Sequence, residues 1–192
     1  MTPLDLLQND RRAAAEARDP WASLCVLATV DANGGPQARI LILRDVESRL
    51  ALFVNSTSPK CAELAYQRRV GVLTYFATRS VQYRLGANLS NVDPAIVRTN
   101  WNLRPAIPKA MDWLYSTRAA QSSVVSSRDA LVAWHAAVAA EIGTHPEAPD
   151  TAVGFYLDID SIERLELAND RVHDRRRYTR AGGDWREEVL VP

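Results

Sequence analysis

A strand, a turn and a second strand near the N-terminus constrain the fold more than any other feature of this sequence. Residues 21–30 are apolar and rich in β-branched side chains, residues 31–36 read Asp-Ala-Asn-Gly-Gly-Pro, and residues 37–44 are again strand-like. A cluster of turn-forming residues between two such segments is typical of a β-hairpin. Because hairpins build antiparallel sheets, the sequence predicts antiparallel β structure from its first quarter onwards.

Further strands and a few helices follow in the remaining sequence. Additional strands are predicted at residues 50–54, 70–76, 80–90, 153–159, 162–167, 171–180 and 185–191. Helices are predicted at residues 4–18, 59–68, 127–141 and, broken by prolines, 93–115. Closing the sheet removes its exposed edges. We therefore predict a mostly β, α+β fold: an antiparallel barrel with peripheral helices, in one domain of residues 1–192 with residues 1–19 as a helical arm.

Composition and charge argue against several classes of protein. The 23 basic residues are balanced by 23 acidic residues, so no overall positive field favours nucleic-acid binding. No apolar segment approaches the roughly 20 residues of a membrane span, and the first residues lack a signal-peptide core. Cys25 and Cys61 lie far apart without metal-ligand spacing, so no metal site is expected. We expect a cytoplasmic protein without nucleic-acid or membrane partners.

A basic segment at residues 171–178 carries the densest set of ligand-capable side chains. If it forms a strand, Arg171, His173, Arg175 and Arg177 point to the same side. Guanidinium groups match the oxygens of phosphate and carboxylate, which predicts an anionic and possibly phosphorylated ligand. A solvated edge strand, kept from aggregating by its charges, is the alternative interpretation.

A second candidate site precedes the predicted helix that begins near Pro59. The polar residues 55–58 lead into this helix, and Lys60 follows in its first turn. Free backbone N–H groups, hydroxyls and an ammonium group together suit a phosphate group. An ordinary N-cap, in which a Ser or Thr of this loop satisfies the amides of the first turn, is the alternative for the same residues.

Several short motifs, taken in their order along the chain, carry a resemblance to a known family. They are Val-Leu-Ala-Thr-Val-Asp at 26–31, Gly-Pro at 35–36, Ala-Arg-Ile-Leu-Ile-Leu-Arg at 38–44, Ser-Pro-Lys at 58–60, Gln-Tyr-Arg at 82–84, Gln-Ser-Ser at 121–123, the basic segment 171–178, Trp185 and Leu-Val-Pro at 190–192. From about residue 20 to the last residue, the sequence resembles the pyridoxamine 5'-phosphate oxidase family. The resemblance implies an FMN-binding split barrel that works as a homodimer, with FMN at the subunit interface.

The resemblance also implies roles for individual residues. Cofactor-binding positions would be Arg39, Ile40, Leu41, Arg44, Ser58, Lys60, Gln82, Gln121, Ser122 and Arg175. Among them, Arg39, Ser58 and Lys60 would hold the FMN phosphate, in agreement with the phosphate site inferred from the residues alone. Arg171 and His173 would be the catalytic pair that faces the substrate over the flavin.

Some positions depart from the family pattern. Near the flavin these are Arg44, Pro59, the Phe53-Val54 pair and Leu165. The residues that bind the substrate phosphate in the family correspond to Asn100, Arg104 and Pro108 here, and only Arg104 matches the family pattern. The resemblance therefore implies FMN binding more directly than pyridoxamine phosphate oxidation. We expect an FMN-dependent oxidoreductase that oxidises a small anionic substrate; the alternative is a non-catalytic FMN-binding module or sensor with a diverged substrate pocket.

Overall fold

The computed structural model describes residues 1–192 and contains five α-helices and nine β-strands. The helices are α1 (Pro3–Glu16), α2 (Pro59–Tyr66), α3 (Pro94–Asn102), α4 (Ala106–Thr117) and α5 (Arg128–Ile142). The strands are β1 (Leu24–Val30), β2 (Pro36–Ile42), β3 (Arg44–Val46), β4 (Arg49–Asn55), β5 (Arg69–Phe76), β6 (Val81–Asn91), β7 (Ala152–Glu166), β8 (Asp174–Ala181) and β9 (Asp184–Leu190). No helix has the length and apolar character needed to cross a membrane.

All strands belong to one antiparallel sheet that curls into a barrel. Its order is β2-β1-β5-β6-β7-β4-β3, and β8 and β9 branch from β7. The two edge strands of this order, β2 and β3, follow each other directly in the chain and are interrupted only at Leu43. Residues 36–46 therefore connect one edge of the sheet to the other. The first half of β7 pairs with β4 and the second half with β8, which splits the barrel. The predicted antiparallel split barrel with peripheral helices is confirmed.

Alternating side chains build the barrel core. In β6, Val81, Tyr83 and Leu85 are buried, and the residues between them face outwards. Helix α1 contributes the fully buried Leu7 and Ala14 to the same core, and each buried leucine contributes roughly 1.5–3 kcal/mol. The predicted N-terminal helix therefore packs against the barrel core.

One pair of predicted strands is a single strand. Residues 153–159 and 162–167 were expected to be separate, but β7 runs without interruption from Ala152 to Glu166. The pairing register with β6 shifts between Gly86 and Ala87, which leaves Asp160 as an additional residue in β7. Such a bulge bends a strand without ending it. Arg69 forms an ion pair with Asp160, so the acidic interruption in the sequence lies on the solvent side.

The basic segment is also shorter as a strand than the sequence predicts. Strand β8 begins at Asp174, and Arg171 adopts a left-handed conformation with φ of 69°. The chain must reverse direction between β7 and β8, and Asp170 accepts a hydrogen bond from the Val172 N–H within that turn. The prediction of a strand over residues 171–173 is wrong, and strand alternation cannot relate Arg171 or His173 to Arg175.

Candidate cofactor and substrate site

The loop after β4 and the first turn of α2 form a polar, mostly buried site. Ser58 is the N-cap residue of α2, but its side chain makes no capping hydrogen bond. Its hydroxyl instead accepts a hydrogen bond from Lys60 Nζ, which also lies 3.5 Å from Gln121 Oε1. The loop that carries Gln121 is fixed here because its N–H donates to Thr57 Oγ1 at 3.1 Å. The N-cap alternative therefore does not account for the Ser58 hydroxyl.

Lys60 is a buried cation without an acidic partner. It is only 8 % exposed, and its ammonium contacts the neutral oxygens of Ser58 and Gln121 but no carboxylate. Burial lowers the pKa of Lys60, and the positive charge of nearby Arg39 acts in the same direction, while Cys61 and the negative charge of Glu63 oppose the shift. A bound anion would supply the missing counter-charge. The residues present therefore fit the phosphate group of FMN.

Arg39 of β2 lies close enough to this site for its charge to act on Lys60. Its Nη2 donates a 2.6 Å hydrogen bond to Glu63 Oε2, and its Nη1 donates to the Thr29 hydroxyl. The Thr29 hydroxyl in turn donates to Glu63. The guanidinium is thus held in one orientation, and its Nε–H remains available. Sequence reasoning missed Glu63, although its position three residues after Lys60 places it on the same side of α2.

A second group of predicted residues lies on another part of the sheet. Gln82 of β6, Leu165 of β7 and Arg175 of β8 are direct cross-strand neighbours. Arg175 Nε donates to Glu163 Oε1 at 3.1 Å, which fixes the guanidinium against β7. This row forms part of the outward face, because Gln82 alternates with the buried Val81 and Tyr83.

Arg171 and His173 lie in the loop just before that row. The Ala168 N–H donates to His173 Nδ1 at 3.0 Å. A neutral imidazole that accepts at Nδ1 carries its proton on Nε2, so the outer nitrogen of His173 is a hydrogen-bond donor. Arg171 is exposed and makes no side-chain hydrogen bond. Both predicted catalytic side chains are therefore free to contact a ligand.

The two groups do not meet within one chain. The first contains Arg39, Ser58, Lys60 and Gln121, and the second contains Gln82 and Arg175. Strands β1 and β5 separate β2 from β6, which corresponds to about 14 Å at the usual strand spacing. Arg39 pairs with the buried Leu27 and shares its inward face, whereas Gln82 faces outwards. Ser122, also predicted as a cofactor contact, is exposed beside Gln121 with φ of 74°.

The remaining predicted cofactor residues, Ile40, Leu41 and Arg44, line a cavity of about 230 Å³. Its other walls include Phe53 and Val54 of β4 and three residues of the α3 region, Asn100, Trp101 and Arg104. Asn100 and Arg104, which correspond to positions that bind the substrate phosphate in the family, thus lie beside the predicted flavin contacts.

Two of the lining residues, Arg104 and Trp101, donate hydrogen bonds to a buried acid that no local sequence pattern identifies. Asp112 of α4 accepts hydrogen bonds from Arg104 Nη1 at 2.5 Å and from Trp101 Nε1 at 2.8 Å. Burial raises the pKa of Asp112, and the charge of Arg104 opposes that shift. Arg44 has no hydrogen-bonding or ion-pair partner, so it is the one uncompensated cation of the cavity wall.

The split barrel and the buried Lys60 with its neutral oxygen partners are those of a flavoprotein of the FMN-binding split-barrel class. Among solved structures, the chain is similar to PhzG from Burkholderia lata, determined in complex with tetrahydrophenazine-1-carboxylic acid (26% identity, TM-score 0.89, covering 100% of this chain and 93% of PhzG). It shares its fold with a pyridoxamine 5'-phosphate oxidase-related, FMN-binding protein from Nostoc punctiforme (17% identity, TM-score 0.79, covering 100% and 99% of the two chains).

Curated relatives specify the family. The pyridoxine/pyridoxamine 5'-phosphate oxidase of Paraburkholderia phymatum is 32% identical over 183 residues, which cover 94% of this chain and 84% of the relative. The enzyme of the same name from Burkholderia ambifaria is 31% identical over 198 residues, which cover 100% of this chain and 91% of the relative. No protein-family model matches the chain. The chain belongs to the pyridoxine/pyridoxamine 5'-phosphate oxidase family and is an FMN-dependent oxidoreductase, as predicted from the order of its motifs.

Proposed function

We propose that this protein is an FMN-dependent oxidoreductase that removes two electrons from a small anionic organic substrate, with oxygen or another acceptor as the final oxidant. The observation that carries the proposal is the buried Lys60, whose ammonium contacts only neutral oxygens beside Arg39. A phosphate-bearing cofactor supplies the charge that this site requires. When bound, FMN supplies the redox chemistry, and the protein supplies binding, orientation and electrostatics.

The side chains of the first group bind the cofactor. Lys60, the Ser58 hydroxyl and the free Nε–H of Arg39 donate to the phosphate, and Glu63 keeps the Arg39 guanidinium in place. Gln121 and Ser122 provide polar contacts from the neighbouring loop. Charged hydrogen bonds of this kind contribute roughly 1.5–3 kcal/mol each.

The second group completes the site from another subunit. Gln82 and Arg175 contact the flavin, while Arg171 and the Nε2–H of His173 orient the anionic substrate over it. Since one chain keeps the two groups apart, the active form is a homodimer with FMN between subunits. Ile40 and Ile42 support this assembly, because both are apolar and about half exposed on the outward face of β2.

Two substrate types are consistent with the family. Curated relatives are named for pyridoxine and pyridoxamine 5'-phosphates, whereas the solved structure of PhzG contains tetrahydrophenazine-1-carboxylic acid. Both are ring compounds with an acidic substituent. The alternative of a non-catalytic FMN-binding module or sensor is favoured only by the departures at Asn100 and Pro108, which remove groups that would hold a substrate phosphate.

Anaerobic reduction of the flavin tests the proposal. FMN-loaded protein is mixed with pyridoxamine 5'-phosphate, pyridoxine 5'-phosphate or a dihydrophenazine carboxylate, and the flavin absorption band is followed. We expect at least one of these reductants to bleach the band and admitted oxygen to restore it. A protein that binds FMN but is bleached by none of the three would favour the sensor alternative.

A further inference from the structure

We propose that Thr57 is a positioning residue of the cofactor site: its hydroxyl holds the loop of Gln121, so that the side-chain amide of Gln121 lies beside Lys60 and can donate to FMN. This inference rests on the proposed function, because it adds a residue to the same site. Thr57 lies half-buried in the loop between β4 and α2. Its hydroxyl contacts Asn55 and Gln121, so its effect on the cofactor is exerted through these neighbours.

Asn55, the last residue of β4, fixes the direction of the Thr57 hydroxyl. Asn55 is only 4 % exposed, and its Nδ2 donates to the Asp112 carbonyl at 3.3 Å and to Thr151 Oγ1 at 3.0 Å. Its Oδ1 accepts from the Thr57 N–H at 3.0 Å and from the Thr57 hydroxyl at 2.7 Å. A backbone N–H can only donate and a carbonyl can only accept, so the orientation of the Asn55 amide is fixed. The single proton of the Thr57 hydroxyl is therefore committed to Asn55.

The oxygen of the same hydroxyl restrains the loop between α4 and α5. Because its proton points to Asn55, Thr57 Oγ1 has lone pairs available, and it accepts the Gln121 N–H at 3.1 Å. The residues that follow Gln121 are mostly exposed, and Val124 is fully so. Ser122 has φ of 74°, a conformation that costs energy for a residue with a side chain unless its surroundings impose it. The hydrogen bond to Thr57 is thus a principal restraint on this loop.

The restrained loop presents a free donor next to the buried cation. Gln121 Oε1 lies 3.5 Å from Lys60 Nζ. An ammonium group only donates, so the carbonyl end of the Gln121 amide faces Lys60 and its Nε2 protons point elsewhere. These protons have no partner within the chain and can donate to an anion bound at Lys60. Holding the loop in this geometry before FMN binds lowers the entropy lost on binding, which raises affinity.

Titration of the apoproteins with FMN, followed by flavin fluorescence, tests the inference. Thr57→Val keeps the shape of the side chain but removes the hydroxyl, so Kd should rise about three- to tenfold. Thr57→Ser retains the hydroxyl and should bind FMN within about twofold of the wild type. Thr117→Val is the matched control, because the exposed Thr117 hydroxyl donates to the Trp113 carbonyl of its own helix, and it should bind FMN like the wild type.

Two further measurements distinguish positioning from a general structural role. In a Gln121→Ala background, Thr57→Val should weaken FMN binding by less than about twofold, because the side chain through which Thr57 acts is already absent. In the apoprotein, millisecond hydrogen exchange of residues 119–126 should be about three- to tenfold faster in Thr57→Val than in the wild type, Thr57→Ser or Thr117→Val. The exchange measurement requires neither cofactor nor turnover.

The outcomes separate this inference from the function on which it rests. If Thr57→Val does not fold, Thr57→Ala removes the same hydroxyl and is compared with Thr57→Ser in the same way. Wild-type FMN affinity without the hydroxyl, no rescue by Thr57→Ser, additive losses in the Gln121→Ala background, or unchanged exchange of the loop would each overturn the inference and leave the proposed function intact. Failure of the wild-type protein to bind FMN would overturn the proposed function, and the inference with it.

Discussion

The guanidinium of Arg39 donates a 2.6 Å hydrogen bond to Glu63 Oε2, which links β2 to α2 at the edge of the proposed phosphate site. Glu63 therefore has two opposing effects. It orients Arg39, and it also places a negative charge close to the phosphate that Arg39 is proposed to bind. Because like charges repel, the carboxylate limits the affinity for FMN while it stabilises the protein without cofactor.

Glu63→Gln should separate these two effects. The amide can still accept a hydrogen bond from Arg39 but carries no charge, so we expect FMN affinity to rise several-fold. The protein without FMN should lose about 1.5–3 kcal/mol of unfolding free energy, since Arg39 loses its charged partner. Titration with FMN and urea denaturation of the apoprotein measure the two quantities. Weaker FMN binding by Glu63→Gln would show that orientation of Arg39 outweighs the repulsion.

Lys60 should make FMN binding sensitive to alkaline pH. Burial lowers its pKa below the ordinary lysine value of 10.5, and a bound phosphate favours the charged form. At a pH where Lys60 of the free protein is partly deprotonated, FMN binding is therefore accompanied by uptake of a proton by Lys60. We expect affinity to fall as pH rises through the lowered pKa, at a pH below 10.5.

A Lys60→Arg variant is the control for this pH effect, because a guanidinium stays charged throughout the range. Its FMN affinity should remain flat where that of the wild type falls. In the apoprotein, the same lowered pKa has a separate consequence for folding. Because the folded protein disfavours the charged form of Lys60, the apoprotein is more stable above pH 10.5, where the lysine is neutral. This stability is lost as the pH falls through the lowered pKa of Lys60. A parallel decline of wild type and Lys60→Arg would assign the pH effect to another group.

Mixing two defective variants should restore cofactor binding if the site is shared between subunits. Lys60→Ala and Arg175→Ala each remove one contact from every site of their own homodimer. In a mixed dimer, one site carries both substitutions and the other carries neither. Random exchange of subunits should therefore yield about one quarter intact sites. Light scattering should report roughly twice 21.3 kDa, and absence of any recovery after exchange would mean that Lys60 and Arg175 of one chain act together.

The basic segment offers four variants with different expected effects. Arg171→Ala and His173→Ala should lower turnover or substrate affinity and leave FMN bound, whereas Arg175→Ala should loosen FMN. Arg176→Ala is the matched control, because Arg176 lies on the other face of β8 and pairs with Asp174 and Glu187. If the segment is only a solvated edge, all four should be nearly harmless. Flavin occupancy and substrate-driven bleaching distinguish these outcomes, and an Arg176→Ala defect equal to that of Arg171→Ala would refute the assignment.

The local sequence pattern predicts most strands of the barrel. It fails where residues distant in the sequence determine the local structure. The alternation of Val81, Tyr83 and Leu85 identified β6 and its buried face, because strand periodicity is a local property. The prediction divides the single strand β7 at residues 160 and 161, since nothing local shows that Arg69 pairs with Asp160 across the sheet.

The same distinction applies to the candidate site. A polar loop before a helix has a recognisable pattern, which predicts Ser58 and Lys60 as ligand-binding residues, and the structure brings their side chains into contact. Glu63 and Asp112 were not found, because each depends on an arginine brought to it by the fold. The strand predicted at Arg171 failed for a similar reason: the need to reverse the chain between β7 and β8 outweighs the local alternation.

The most direct test of the account is the affinity of Lys60→Ala for FMN, compared with that of Lys109→Ala. These are the two lysines of the chain, and Lys109 lies on α4 with its ammonium 2.9 Å from the Asn102 carbonyl. Titration of the apoproteins, followed by flavin fluorescence, should show a loss of about tenfold or more for Lys60→Ala and wild-type affinity for Lys109→Ala. Wild-type affinity in both variants would contradict the account, because the phosphate of FMN would then be bound elsewhere.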